Sequence, residues 1–207
     1  MQEGGTDIKD YTWGELYSLV ERAADALISL GVKKHDRVAA VLSNRLETVV
    51  LCLATLSIGA IWSSSSPDMA ESGILDRLTQ IRPKIVFGES FVVFKGKVMD
   101  LASKNAAIVQ GLKGFEEFKN LIVLPSQARI AEVDSRGQIL GYEEFLKHGV
   151  GRPLKFTRLP FSHPGFIVYS SGTVSIPPTP GRLPLTKASV RCTKVHSSQC
   201  CGMWTLW

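Results

Sequence analysis

No stretch of this 207-residue sequence approaches the ~18 uncharged apolar residues that a membrane-spanning helix requires. The longest apolar candidate, Thr48 to Trp62, is interrupted by Ser57 and Gly59 and reads as a buried helix running into a strand. The N-terminus, Met1-Gln2-Glu3-Gly4-Gly5, has neither the basic flank nor the apolar centre of a secretory signal. The expectation is therefore a cytoplasmic protein with no membrane partner. Cysteine is scarce. Cys52 sits in an apolar helical pattern, while Cys192, Cys200 and Cys201 crowd the last sixteen residues, so a disulfide framework spread over a small secreted fold is excluded. Acidic residues are absent after Thr173, where four basic residues (Arg182, Lys187, Arg191 and Lys194) account for nearly all of the net charge of +5. The first 173 residues are almost neutral, which removes any charge-driven argument for a nucleic-acid partner.

What is present is a regular alternation. Thr12-Trp13-Gly14-Glu15 has capping-box spacing, and Leu16, Leu19, Val20, Ala23, Leu27 and Leu30 follow at helical intervals before Gly31 stops the helix. Arg37 to Leu42 reads as a buried strand, and Arg45 to Ile58 as a second helix. Ala60-Ile61-Trp62 reads as a short strand, Glu71 to Ile81 as a third helix, and Lys84 to Phe87 as a strand. Val98 to Gly111 predicts a fourth helix, and Leu121 to Leu124 and Phe166 to Tyr169 predict strands. Short apolar strands separated by helices imply an α/β domain, a mostly parallel sheet covered by helices on both faces. Gln127 to Gly141 is polar and reads as a loop, with a turn signal at Ser135-Arg136-Gly137. After Thr173 the grammar changes. Four of the ten prolines (Pro177, Pro178, Pro180 and Pro184) fall there and periodicity disappears. The expected division is a flexible N-terminus over 1–10, a folded segment over 11–173, and an aperiodic, disordered basic tail over 174–207.

Phosphate chemistry has one candidate. Phe166 to Tyr169 is an apolar strand that opens into Ser170-Ser171-Gly172-Thr173, where glycine allows close backbone approach and hydroxyls and amides supply donors. A plain strand-end turn explains the same residues about as well. The dinucleotide fingerprint G-x-G-x-x-G does not occur, and Gly88 with Gly96-Lys97 fails as a Walker loop because the spacing is too long and Val98 follows the lysine. Ser63 to Ser66 is read as a solvated strand-to-helix connection rather than a ligand contact. His163, flanked by Ser162 and Pro164, has no nucleophile paired with it by sequence logic and is read as a hydrogen-bonded structural histidine. Cys192, His196, Cys200 and Cys201 are residue types that zinc accepts, but their spacing matches no standard site, so no metal site is assigned.

Several segments together resemble the acetoacetyl-CoA synthetase branch of the adenylate-forming ligases. They are Gly31-Val32-Lys33-Lys34-His35-Asp36-Arg37-Val38, then Gly59-Ala60-Ile61-Trp62-Ser63-Ser64-Ser65-Ser66-Pro67-Asp68. Ile74-Leu75-Asp76-Arg77-Leu78, Gln80 to Lys84 and Leu159 to Pro164 follow. The resemblance covers roughly residues 11 to 173. It implies the N-terminal part of the ligase fold and a reaction in which ATP and acetoacetate form an acyl-adenylate and pyrophosphate before coenzyme A takes the acyl group. ATP, Mg and coenzyme A are the cofactors it implies. The family's loop Tyr/Phe-Ser-Ser-Gly-Thr-Thr-Gly-x-Pro-Lys is matched here by Tyr169, Ser170, Ser171, Gly172 and Thr173. Val174, Ser175 and Pro178 then depart from it. The family's later catalytic elements have no counterpart after this point, so no catalytic residue is assigned. The expectation is a truncated chain without activity of its own. The alternative is a non-catalytic form that pairs with a full-length ligase.

Overall fold

The computed structural model describes residues 9–94, 96–125, 138–169 and 190–193. Helix α1, Trp13–Ser29, starts where its capping box predicts: the Glu15 amide donates to the Thr12 hydroxyl at 3.2 Å and the Thr12 amide donates to the Glu15 carboxylate at 2.7 Å. Two of the helix's orphan amide groups are satisfied in this way. Strand β1, Arg37–Val41, follows. Then come α2 (Leu46–Ser57), β2 (Ile61–Ser65), α3 (Glu71–Ile81) and β3 (Ile85–Glu89). A hairpin of β4 (Phe91–Phe94) and β5 (Lys97–Asp100) precedes α4 (Ala102–Leu112) and β6 (Asn120–Leu124). The last described elements are β7 (Ile139–Gly141), α5 (Tyr142–Lys147), β8 (Phe166–Tyr169) and β9 (Val190–Thr193).

Among the described residues the main sheet has seven strands in the order β7-β6-β3-β1-β2-β8-β9. All neighbouring pairs are parallel except β8 with β9. Parallel strands need crossovers, and the helices that make them cover both faces. Val38 and Ala40 of β1 turn to one side, where they pack with Ala23 and Leu27 of α1, Val50 and Leu51 of α2 and Phe145 of α5. Ala39 and Val41 turn to the other side, where Ile74 and Leu78 of α3 and Ile108 and Leu112 of α4 close the layer. The period-two alternation of β1 thus feeds two cores at once.

Three readings from the sequence are corrected. The helix expected from Val98 begins only at Ala102, because Lys97–Asp100 pairs antiparallel with Phe91–Phe94 around Gly96. Gly96 has φ of 75°, and the Asp100 carboxylate accepts from the Ala102 amide at 2.7 Å to open the helix. The serine run is no solvated connection: β2 continues through Ser65, with Ser63 and Ser65 buried and Ser64 exposed. The Ser63 hydroxyl satisfies itself on the Ile167 carbonyl of β8 at 3.0 Å. The region read as a loop to Gly141 ends in β7, parallel to β6. The turn signal at 135–137 lies outside the described residues. Within the segment read as an aperiodic tail, Val190–Thr193 pairs antiparallel with β8, filling the backbone groups of an otherwise open edge.

Residues 148–165 form an irregular strap that delivers β8 to β2. Its backbone is satisfied by groups of the folded body rather than by a ladder of its own. Gly151 and Arg152 donate their amides to the buried Asp25 carboxylate of α1 at 2.7 and 3.1 Å, and the Arg152 guanidinium reaches the same carboxylate at 2.8 Å. Leu154 donates to Glu21 and Thr157 to the Ser57 carbonyl, both at 2.8 Å. At Gly59, φ is +77°, and a Cβ would sit 3.3 Å from Leu159 of the strap, so the turn into β2 combines a left-handed backbone with a close approach.

Candidate functional site

Open parallel sheets bind ligands outside the carboxyl ends of their strands, where strand order reverses. Here β1 is the pivot: β2 and β8 lie on one side of it, β3 and β6 on the other. Two polar clusters stand along that edge.

The first joins the ends of β2 and β8 to α3. The Tyr169 hydroxyl donates to the Arg77 carbonyl at 2.9 Å, and the Arg77 guanidinium lies over the Tyr169 ring at 4.8 Å. Burial pushes the Tyr169 phenol up to about 12, against a smaller opposing pull from Arg77, so it remains a donor at neutral pH. Arg77 also reaches the Ser65 hydroxyl at 3.4 Å and the Met69 sulfur at 3.1 Å. Ser66 is hydrogen-bonded to Asp68, and the Lys104 ammonium of α4 donates to the carbonyls of Pro67 and Met69. Burial lowers the Lys104 pKa, while Asp68 and Glu71 act in the opposite direction. The turn that follows β2 is therefore held from both sides, by Arg77 and by Lys104.

The second cluster joins β1, β3 and β6. The buried Glu89 carboxylate accepts from the Ser43 amide at 3.0 Å and hydroxyl at 2.7 Å, and Arg45 lies 3.6 Å away. Arg45 makes a two-pronged contact with Glu47, at 2.7 and 3.1 Å, and donates to the Pro125 carbonyl at 3.1 Å. Burial opposes the charge on Arg45, but Glu47 and Glu89 outweigh it and raise its pKa. Burial likewise opposes the charge on Glu47, and Arg45 outweighs it and holds the carboxylate low. Every charged group in this cluster has a partner, so it fixes the ends of β1, β3 and β6 to one another.

Of the residues predicted for the phosphate loop, Ser170, Ser171, Gly172 and Thr173 lie outside the described residues. Tyr169, which precedes them, is held at the carboxyl end of β8 as described. Gly88, weighed as part of a Walker loop, has a packing role: a Cβ there would stand 2.7 Å from the Asn105 side chain, which donates to the Glu89 carbonyl at 2.9 Å. His163 stands at the opposite, amino-terminal end of the sheet, with Nε2 3.0 Å from the Gly59 carbonyl. No group of three or more His, Cys, Asp or Glu side chains able to hold a metal occurs among the described residues. The partnerships Arg77–Tyr169 and Ser43–Glu89 span 92 and 46 residues and had no local signal. Only Arg45 and Glu47, two residues apart, were adjacent enough to notice.

The model of the AMP-binding enzyme family matches residues 4–177, most of the chain and all of this edge. The chain belongs to the AMP-binding enzyme family. It is 40% identical over 181 residues to the acetoacetyl-CoA synthetase of Gallus gallus, covering 85% of this chain and 27% of that protein. It is 41% identical over 169 residues to the acetoacetyl-coenzyme A synthetase of Rhizobium meliloti (strain 1021), covering 80% of this chain and 25% of that protein. The solved structure of acetoacetyl-CoA synthetase from Streptomyces lividans superposes with a TM-score of 0.71 at 30% identity, over 82% of this chain and 25% of that one. The chain thus spans about a quarter of the length of the relatives it matches. The fold resemblance stated above, an N-terminal part of the adenylate-forming ligase fold, stands on these matches.

Proposed function

We propose that residues 11–173 are the front part of an acid–thiol ligase whose acid is acetoacetate, with ATP, Mg and coenzyme A as its co-substrates. The 207-residue chain by itself does not turn these over. The observation that carries the assignment is the similarity of about 40% to acetoacetyl-CoA synthetases, running through the serine-rich β2 and its turn, with β8 leading directly into the phosphate loop. The chemistry explains the predicted inactivity. Attack of a carboxylate on the α-phosphate concentrates negative charge, which loop donors, a cation and a lysine must stabilise. After Thr173 the sequence reads Val174 where a hydroxyl is expected, Ser175 where glycine is expected, and Pro178 where the lysine is expected. Valine removes a donor, proline removes a cation, and serine resists the backbone angles open to glycine. The residues present do not complete a triphosphate site.

Acetoacetate-dependent pyrophosphate release tests both halves of the proposal. The 207-residue chain is expected to release none above background. A chimera joining residues 1–173 to the remainder of the Gallus gallus relative is expected to release it with acetoacetate and not with acetate. Turnover by the unmodified chain overturns the inactivity, and a folded but inert chimera overturns the assignment. A second reading, that the chain pairs with a full-length ligase, is favoured by the exposure of Val168 on β8 and of Phe161 in the strap. Co-purification with the full-length relative is its expected outcome, and a monomer that ignores the relative removes it.

A further inference from the structure

His163 sits where the strap turns into β8. Its Nε2 lies 3.0 Å from the Gly59 carbonyl, which already accepts the His35 amide at 3.0 Å. A carbonyl cannot donate, so Nε2 carries the proton. In the neutral ring Nδ1 is then a bare acceptor. That nitrogen is sealed from solvent and has no hydrogen-bond partner among the described residues, although the ring as a whole is partly exposed. The ring of His35, itself held at φ of 70°, lies 4.6 Å away between centroids. A cleft of about 290 Å³ beside it is lined by Leu56, Ala60, Leu159, Pro160 and Phe161, which offer no side-chain acceptor. A second proton on this ring would therefore create a charged, sealed N–H with no acceptor among the described residues.

We infer that His163 and its strap form an acid-opened clip: the imidazolium can keep its Nε2–H bond to Gly59 only with a second, sealed N–H at Nδ1, so protonation favours a lifted strap in which Nδ1–H meets water, and it loosens β8 from β2. Among the described residues that seam is registered at Trp62 and Phe166, the Trp62 amide donates to the Gly165 carbonyl at 2.9 Å and Ser63 donates to Ile167, while the far end of β8 is tied through Tyr169 to Arg77 of α3. The charged and titratable groups facing His163 are His35 and Lys34, both from the turn before β1, and both disfavour its cation. From the α2–β2 turn it meets the Gly59 carbonyl, which favours the cation but is outweighed by desolvation. The sign follows. A histidine whose pKa is lowered by folding takes up its proton more readily when released. The clip is fully closed above the ordinary value of about 6.5 and loosens as pH falls through it. The closed-to-open ratio falls by at most about tenfold per pH unit until the folded group itself titrates.

Hydrogen exchange of the 207-residue chain between pH 7.5 and 5.0, expressed as protection relative to intrinsic rates, tests this. Peptides covering residues 157–168 are expected to lose up to about tenfold in protection per unit below pH ~6.5, while α1 and β1 hold theirs. In His163→Gln the amide can still donate to Gly59 but cannot titrate, and the acid-dependent loss should vanish. His35→Asn, which tolerates the left-handed backbone, should shrink the total loss. If His163→Gln does not fold, the imidazole resonances of the wild-type chain decide: His163 must titrate below the ordinary histidine value of about 6.5. An equal acid slope in wild type and His163→Gln, or a His163 midpoint at or above about 6.5, overturns the clip.

Discussion

At the scale of single residues, the most consequential group is a carboxylate that takes no part in the carboxyl-terminal edge of the sheet. Asp25 is 4% exposed on α1, yet it collects two backbone amides and a guanidinium from the strap. Removing it takes away the one buried acceptor that three strap donors share, and the strap loses its anchor on α1. Asp25→Ala is expected to lose about 3 kcal/mol, of which little comes from the Arg152 ion pair, because that side chain is half exposed and screened. The urea midpoint measures the loss. Trypsin cleavage after Lys155 and Arg158, accelerated at least as strongly as global unfolding predicts, locates it in the strap. Asp25 was invisible in the sequence as a site residue. It occupies a helical position between Ala24 and Ala26, and its partners lie more than 120 residues away.

At the scale of elements, α1 shows why some parts of the fold were legible. Its start is written locally in Thr12 and Glu15, and its buried face in Val20, Ala23 and Leu27. Thr12→Ala is expected to cost about 1 kcal/mol, with Thr12→Ser restoring most of it. Denaturant melts of the two variants check the pair. The β4–β5 hairpin shows the opposite case. Val98 and Met99 are apolar but exposed, on a two-stranded ribbon outside the main sheet, so a reading that turns every apolar residue inward extends the following helix over them. The serine run failed for the mirror-image reason. Ser63 and Ser65 are polar but buried, because Ser63 finds a carbonyl on β8 and Ser65 a guanidinium on α3. Amphipathic pattern predicts an element well when side chains obey it individually, and it fails where a long-range partner makes an exception affordable.

At the scale of the molecule, the fold class followed from alternation, since β1, β3 and β6 are apolar on both faces and only a helix-covered parallel sheet hides both. Strand order did not follow. Nothing in residues 142–165 announces that the chain will run past α1 and the Gly59 turn before placing β8 beside β2. The candidate site was half legible for the same reason. The motif at Tyr169 to Thr173 named one strand end, whereas its neighbours Arg77, Ser65 and Lys104 arrive through crossovers whose geometry the sequence does not spell out.

The late arrival of β8 has a consequence in time. Ser63 and its acceptor Ile167 are separated by 104 residues, all of which must be synthesised before that bond can form. At roughly 5–20 residues per second on the ribosome, β2 stands as an open edge for on the order of 5–20 s. Within that interval α3, β3, α4 and β6 are made and can associate with β1 and β2, so the nascent domain assembles most of its core while one strand edge is still unprotected. The hydroxyls of the serine run face that wait better than valine or isoleucine would, because a polar strand edge is a poorer template for another chain.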